Sequence, residues 1–142
     1  MKHTNLFKVL LMAIAISMGF SSCEKDDDYG IMVRMRNQGN GSTHVSIFDE
    51  GMHINSSNNF VFYYYYDGGG SNQIASVGKV SGLSKVKEIP SSGWTKKIAV
   101  EPRMGYVVRN NNRYARIWVK DWIEGTSGGI IGAIVYYEED WR

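Results

Sequence analysis

Behind residue 30, apolar and polar positions alternate with a period of two over most of the chain, and no dozen-residue stretch keeps helical spacing unbroken by Gly, Asn or Ser. Ile31, Val33 and Met35 alternate with Met32, Arg34 and Arg36, which predicts a first strand with one apolar and one mixed face. The polar run QGNGS at 38–42 turns the chain, and Val45 and Ile47 predict a second strand over 43–48. Asp49, Glu50 and Gly51 break that pattern, leaving Ile54 to a short piece at most. After the polar residues 55–59, FVFYYYY at 60–66 is the strongest strand signal, because almost every residue prefers a pleated surface.

A strand is expected at 74–80. Residues 82–90 (GLSKVKEIP) space Leu83, Val86 and Ile89 by three, which fits one helical turn or a looping segment laid over the core between Gly82 and Pro90. Ile98 and Val100 mark a short strand. Residues 106–109 run into Asn110, Asn111 and Asn112, where left-handed dihedrals are tolerated and a tight hairpin is expected. On the return strand Ala115, Ile117 and Val119 form an aliphatic face, against Tyr114, Arg116, Trp118, Lys120 and Trp122 on the other. A turn at 126–129 leads to IIGAIVYY at 130–137, apolar on both faces and so a central strand. About seven to nine short strands with glycine-rich turns predict an all-β fold, an antiparallel β-sandwich or a small barrel.

The first 28 residues follow other rules. Lys2 and Lys8 are cationic, and residues 9–20 (VLLMAIAISMGF) are the apolar stretch of a secretory signal. As a helix these would span ~18 Å, short of the ~30 Å hydrocarbon core, so a cleaved signal peptide at 1–22 is expected rather than a membrane span. Phe20, Ser21, Ser22 and Cys23 resemble the lipobox of bacterial lipoproteins, with Phe20 where an aliphatic residue is usual. Small residues there give a peptidase room, and the thiol of Cys23 would carry the diacylglyceryl group. One acyl chain holds a protein marginally and two or three hold it stably, so the membrane is the expected partner through a lipid on Cys23. Residues 24–28 (EKDDD) cannot bury themselves and read as an acidic tether over 23–28, extending at most ~20 Å. Behind an acylated cysteine such a run resembles the export signal of Bacteroidota lipoproteins, which implies an outer-membrane, cell-surface location.

Without the leader, 120 residues remain, enough for the single β domain expected at 29–142. They hold fourteen basic and fourteen acidic residues, so the basic excess of the whole chain belongs to the leader, and composition gives no electrostatic case for nucleic acid. Cys23 is the only cysteine, so the domain has no disulfide and depends on its apolar core.

From residue 74 onward a distinctive order of signals runs VGKVSGLSKV at 77–86, IPSSGW at 89–94, IAVEP at 98–102, GYVVR at 105–109, RIWV at 116–119 and TSGGIIGA at 126–133. With the leader, this resembles an uncharacterised family of Bacteroidota lipoproteins defined as a domain of unknown function, DUF5036. The matching residues specify turns and packing, and the resemblance implies no catalytic residues.

Candidate chemistry is sparse. His44 and His53 flank Asp49 and Glu50, but the tight spacing and evident third ligand of a zinc site are missing. No metal ligand or cofactor is assigned, and both histidines are expected on an exposed strand edge. A small cell-envelope hydrolase is the alternative reading, although nothing restricts the choice of serine, and Glu138 and Glu139 read as a solvated terminus. The aromatics are the better lead: Tyr63, Tyr64, Tyr65, Tyr66, Trp94, Trp118 and Trp122 carry flat faces with polar edges suited to a glycan or a protein ligand. The expectation is therefore a noncatalytic binding or accessory module, anchored at the outer membrane through Cys23.

Overall fold

The computed structural model describes residues 29–63 and 70–142. Cys23, the leader and the tether lie outside the described residues, as do Tyr64, Tyr65 and Tyr66. The described residues form nine strands: β1 (Ile31–Arg36), β2 (His44–Ile47), β3 (Glu50–Ile54), β4 (Asn59–Tyr63), β5 (Gln73–Lys79), β6 (Lys97–Ala99), β7 (Met104–Asn110), β8 (Arg113–Glu124) and β9 (Ile130–Glu138). One sheet has the order β1-β9-β8-β7-β5 and the other β2-β3-β4-β6, with antiparallel neighbours throughout. The fold is an all-β sandwich.

Alternation decides which side of each strand meets the core. Met35 of β1, Tyr106 and Val108 of β7, Ala115, Ile117 and Val119 of β8, and Ala133 and Val135 of β9 face Val45, Ile47, Met52, Ile54 and Phe60 of the smaller sheet. Each buried Val, Ile, Met or Phe side chain among these contributes roughly 1.5–3 kcal/mol relative to exposure. Tyr106 ties the layers together: its ring meets Phe60 edge-on at 5.4 Å, and its hydroxyl donates to the Ala99 carbonyl at 2.7 Å while accepting from the Glu101 amide at 3.1 Å. Burial pushes its pKa up to about 12.

Two local geometries differ from the pattern expected of the sequence. The second turn falls on Phe48 and Asp49, both at positive φ (51° and 65°), so Glu50 and Gly51 open β3 instead of ending β2. A two-residue hairpin wants both central residues left-handed, and Phe48 accepts the strain because it is fixed on all sides. Its ring is buried under the Arg113 guanidinium, 4.3 Å from the ring centroid, and its amide donates to Glu139 Oε1 at 2.8 Å. In β8, a bulge between Val119 and Asp121 shifts the alternation, so Trp122 turns to the inner side and packs against the main core. Trp118, before the bulge, stays on the outer side.

That outer side of the larger sheet is covered by the ambiguous segment after β5. Leu83–Lys85 forms one 3-10 turn, within an otherwise extended run, and Leu83 joins Trp118 and Tyr136 in a second, smaller core edged by Val80 and Ile134. Beside it, Arg116 is nearly buried. It binds Glu138 Oε2 through Nε and Nη2, both at 2.8 Å, and donates from Nη1 to the Val86 carbonyl at 3.1 Å. Tyr29 and Trp141 lie on its guanidinium at 5.5 and 5.2 Å, and the Tyr29 hydroxyl donates to Glu138 Oε1 at 3.0 Å. The start and the end of the described chain thus meet at one ion pair, with Glu138 facing outward and Glu139 toward Phe48. Glu138 thus fastens the outer side of the larger sheet, while Glu139, itself exposed, holds the Phe48 turn of the smaller sheet.

Candidate functional site

On the outer face of the smaller sheet, the side chains not used by the core include His44 and Ser46 from β2, His53 from β3, Val61 and Tyr63 from β4, and Lys97 from β6. Two shallow depressions of about 430 and 500 Å³ share this face and meet along His53 and Tyr63. The first is bordered by His44, Ser46, Asp49 and Gly51, the second by Gln38, Asn55, Val61 and Lys97.

The histidines are direct cross-strand partners. Ile47 and Glu50 flank the two-residue turn, and three positions further out on each arm the register pairs His44 with His53. Their ring centroids lie 5.2 Å apart with an interplanar angle of 31°, and Tyr63 meets His53 edge-on at 6.4 Å. His44 is exposed on the edge strand, while His53 sits half-buried one strand inward. Desolvation, then the neighbouring His44, lowers the His53 pKa and favours the neutral imidazole.

The candidate aromatics separate by burial. Tyr63 is 56% exposed at the end of β4. Trp94 is half-buried, with the Arg109 guanidinium 4.2 Å from its ring centroid; Arg109 is itself held by Gln73 Oε1 at 2.7 and 2.9 Å. Trp122 is half-buried against the main core. Trp118 corrects the sequence-based expectation: it is 0% exposed, its Nε1–H donates to the Val80 carbonyl at 2.9 Å, and its ring lies between Tyr136 and Arg103. No face of that indole remains for a ligand. Its polar edge, read from sequence as a recognition feature, satisfies a backbone carbonyl.

A polar cluster without any sequence signal lies at the turn end of β3. Glu50 is 2% exposed on the core side of the sheet. Its Oε2 accepts from the Asn72 amide at 2.8 Å and from Asn110 Nδ2 at 3.3 Å, while Asn72 Nδ2 donates to the Ile47 carbonyl at 2.7 Å. Glu50 Oε1 has no hydrogen-bond partner among the described residues and faces Gly70, where any side chain would collide with the carboxyl group. Burial raises the Glu50 pKa above its ordinary 4.5, against the lowering effects of these donors and of Lys96. The fold therefore binds this proton more tightly than the unfolded chain does. The stability contributed by the protonated carboxyl is complete below pH 4.5 and is lost as pH rises through the raised value. Glu50→Gln should remove that component. Urea unfolding of both proteins between pH 4 and 8 should show the wild type losing ground to the variant across this window, with a constant difference above it. Parallel curves throughout would mean that Glu50 titrates alike in both states.

Fold and site together define an antiparallel β-sandwich domain whose smaller sheet presents an open face of imidazole, phenol and amide groups. The chain belongs to the family described as Domain of unknown function (DUF5036), whose model matches residues 32–115. No curated protein and no solved structure matches the chain.

Proposed function

We propose that the chain is a lipoprotein of Bacteroidota type, anchored at the outer membrane by acylated Cys23, and that its β-sandwich is a noncatalytic binding or accessory module for a glycan or peptide. The succession of cationic residues, apolar run, Ser21, Ser22, Cys23 and acidic tether carries the anchor. For the ligand, the support is Tyr63: a ring more than half exposed, at the junction of two shallow depressions rimmed by hydrogen-bonding groups, suits stacking on a sugar or peptide plane.

Metabolic labelling with palmitate should mark the wild type and not Cys23→Ala, and protease treatment of intact cells should digest the domain if it faces outward. Label retained by Cys23→Ala would remove the anchor. On a glycan array, Tyr63→Ala should abolish the signal while keeping the wild-type melting temperature. A blank array for the wild type, together with no binding to peptide libraries, would sink the ligand-binding reading and leave the anchor standing.

A further inference from the structure

We propose that His44 and His53 form a two-imidazole chelate for a divalent transition-metal ion of the Ni²⁺ and Cu²⁺ class, open to solvent on the outer face of the smaller sheet. The register supplies the first argument. In an antiparallel pair, hydrogen-bonded and non-hydrogen-bonded positions alternate, and Ile47 with Glu50 closes the two-residue turn as a hydrogen-bonded pair. Ser46 with Gly51 is then non-hydrogen-bonded, Val45 with Met52 hydrogen-bonded, and His44 with His53 non-hydrogen-bonded. This is the type of position at which Cα atoms approach to about 4.5 Å and side chains stand closest. The 5.2 Å between ring centroids matches it, and small rotations about χ1 and χ2 bring two imidazole nitrogens onto one ion at the usual distance of about 2.0–2.1 Å.

Gly51 supplies the second argument. A Cβ at this position would lie 3.2 Å from His53 Nε2 and 3.7 Å from His44 Cδ2, the carbon bonded to His44 Nε2. His53 Nε2 and the Cδ2 side of the His44 ring therefore lie over the one outward-facing position on β3 that has no side chain. The depression bordered by His44, Gly51 and His53 provides the room that an ion and its water ligands need.

Donor chemistry selects the ion. Imidazole pairs suit Ni²⁺, Cu²⁺ and Zn²⁺, with affinity at a given site rising through Ni²⁺ to Cu²⁺ and falling at Zn²⁺. Ca²⁺ and Mg²⁺ need oxygen-rich coordination, which two imidazoles do not provide. Among the described residues no group of three His, Cys, Asp or Glu side chains is placed to enclose a metal, so this is not a closed structural zinc centre. The ion would keep coordination positions for water or for a donor atom of another molecule. The inference concerns the face that carries Tyr63 but requires neither the lipid anchor nor a glycan, and metal titration reads it separately from the array.

The test uses the full chain carrying His3→Ala, which leaves His44 and His53 as its two histidines. Adding Ni²⁺ alone should raise its melting temperature, because an ion bound to the folded state stabilises that state by mass action. Titration with Cu²⁺ alone should give an electron paramagnetic resonance signal split by two nitrogens. His44→Ala or His53→Ala in the same background should weaken Ni²⁺ affinity at least tenfold and reduce the Cu²⁺ splitting to one nitrogen. His44 is exposed, so the metal-free melt of its variant should equal that of the parent. Equal Ni²⁺ affinity in the parent and in the variant lacking both His44 and His53 would overturn the chelate, as would an unshifted melt of the parent with excess Ni²⁺.

Discussion

Replacing Trp118 with alanine should destabilise the domain by about 3–5 kcal/mol, the usual cost of truncating a large buried aromatic. The indole fills the space between the larger sheet and the segment that crosses it: Leu83 and Tyr136 share its cluster, Arg103 covers its ring at 5.1 Å, and Nε1 serves the Val80 carbonyl. Alanine would leave a cavity and deprive that carbonyl of its donor at the same step. A domain of this size has roughly 5–15 kcal/mol to lose, so the variant should melt far below the wild type. Trp118→Phe separates the two contributions. It keeps most of the apolar volume but not the N–H donor, and should cost about 1–2 kcal/mol. Chemical unfolding monitored by circular dichroism measures both. If Trp118→Ala kept the wild-type midpoint, the indole would not be a packing element and its candidacy as a stacking surface would return.

Trp118 and Trp122 also show where sequence reading succeeds and where it stops. Alternation in β8 correctly separates Ala115, Ile117 and Val119 from Arg116 and Trp118, because one buried face enforces a period of two. It does not reveal the bulge after Val119, which turns Trp122 to the opposite side from Trp118. Nor does it reveal that the outward face of β8 is covered by residues some thirty positions earlier. A mixed aromatic and cationic face reads as surface until its cover is known.

The direct cross-strand pairing of His44 with His53 is hidden from the sequence for a related reason. Turn chemistry usually announces itself through Gly or Asn, as Asn111 does with φ 54° between β7 and β8. Phe48 gives no such signal, since its left-handed backbone is maintained by Arg113 and Glu139 from the other end of the chain. Glu50 and Gly51 then resemble breakers, although Glu50 is accommodated by Asn72 and Asn110, distant residues as well. With the turn displaced, β3 disappears from the pattern, and so does the register that pairs His44 with His53. The outer face that carries the candidate site thus depends on one turn whose causes are long-range.

Gly132→Ala should be the other severe change, and its effect should begin at the edge of the larger sheet. Gly132 pairs with Arg36 across β9 and β1, and a Cβ there would fall on the Met35 carbonyl, with the Arg36 Cα only 2.9 Å away. These are backbone atoms and no rotamer change relieves them. The strands must separate at a point where the Asn37 amide also donates to the Ile131 carbonyl at 2.8 Å. Overpacking of this kind costs about 3 kcal/mol at its upper end. Here the loss should be local first, because Met35 lies on β1 and would be withdrawn from the core while β7, β8 and β9 keep their own ladder. Hydrogen exchange should therefore accelerate in β1 and its partner positions on β9 well before the β7–β8 hairpin loses protection. Under the proposed anchoring, β1 is also the first strand behind the lipid, so its release would lengthen the tether by an extended strand and loosen the domain from the membrane surface. Gly129→Ala is the matched control: its Cβ would meet no atom within 4 Å, so it should leave both exchange and melting close to wild type. Equal protection of β1 in Gly132→Ala and the wild type would show that the close approach of the two backbones is not what excludes a side chain at this position.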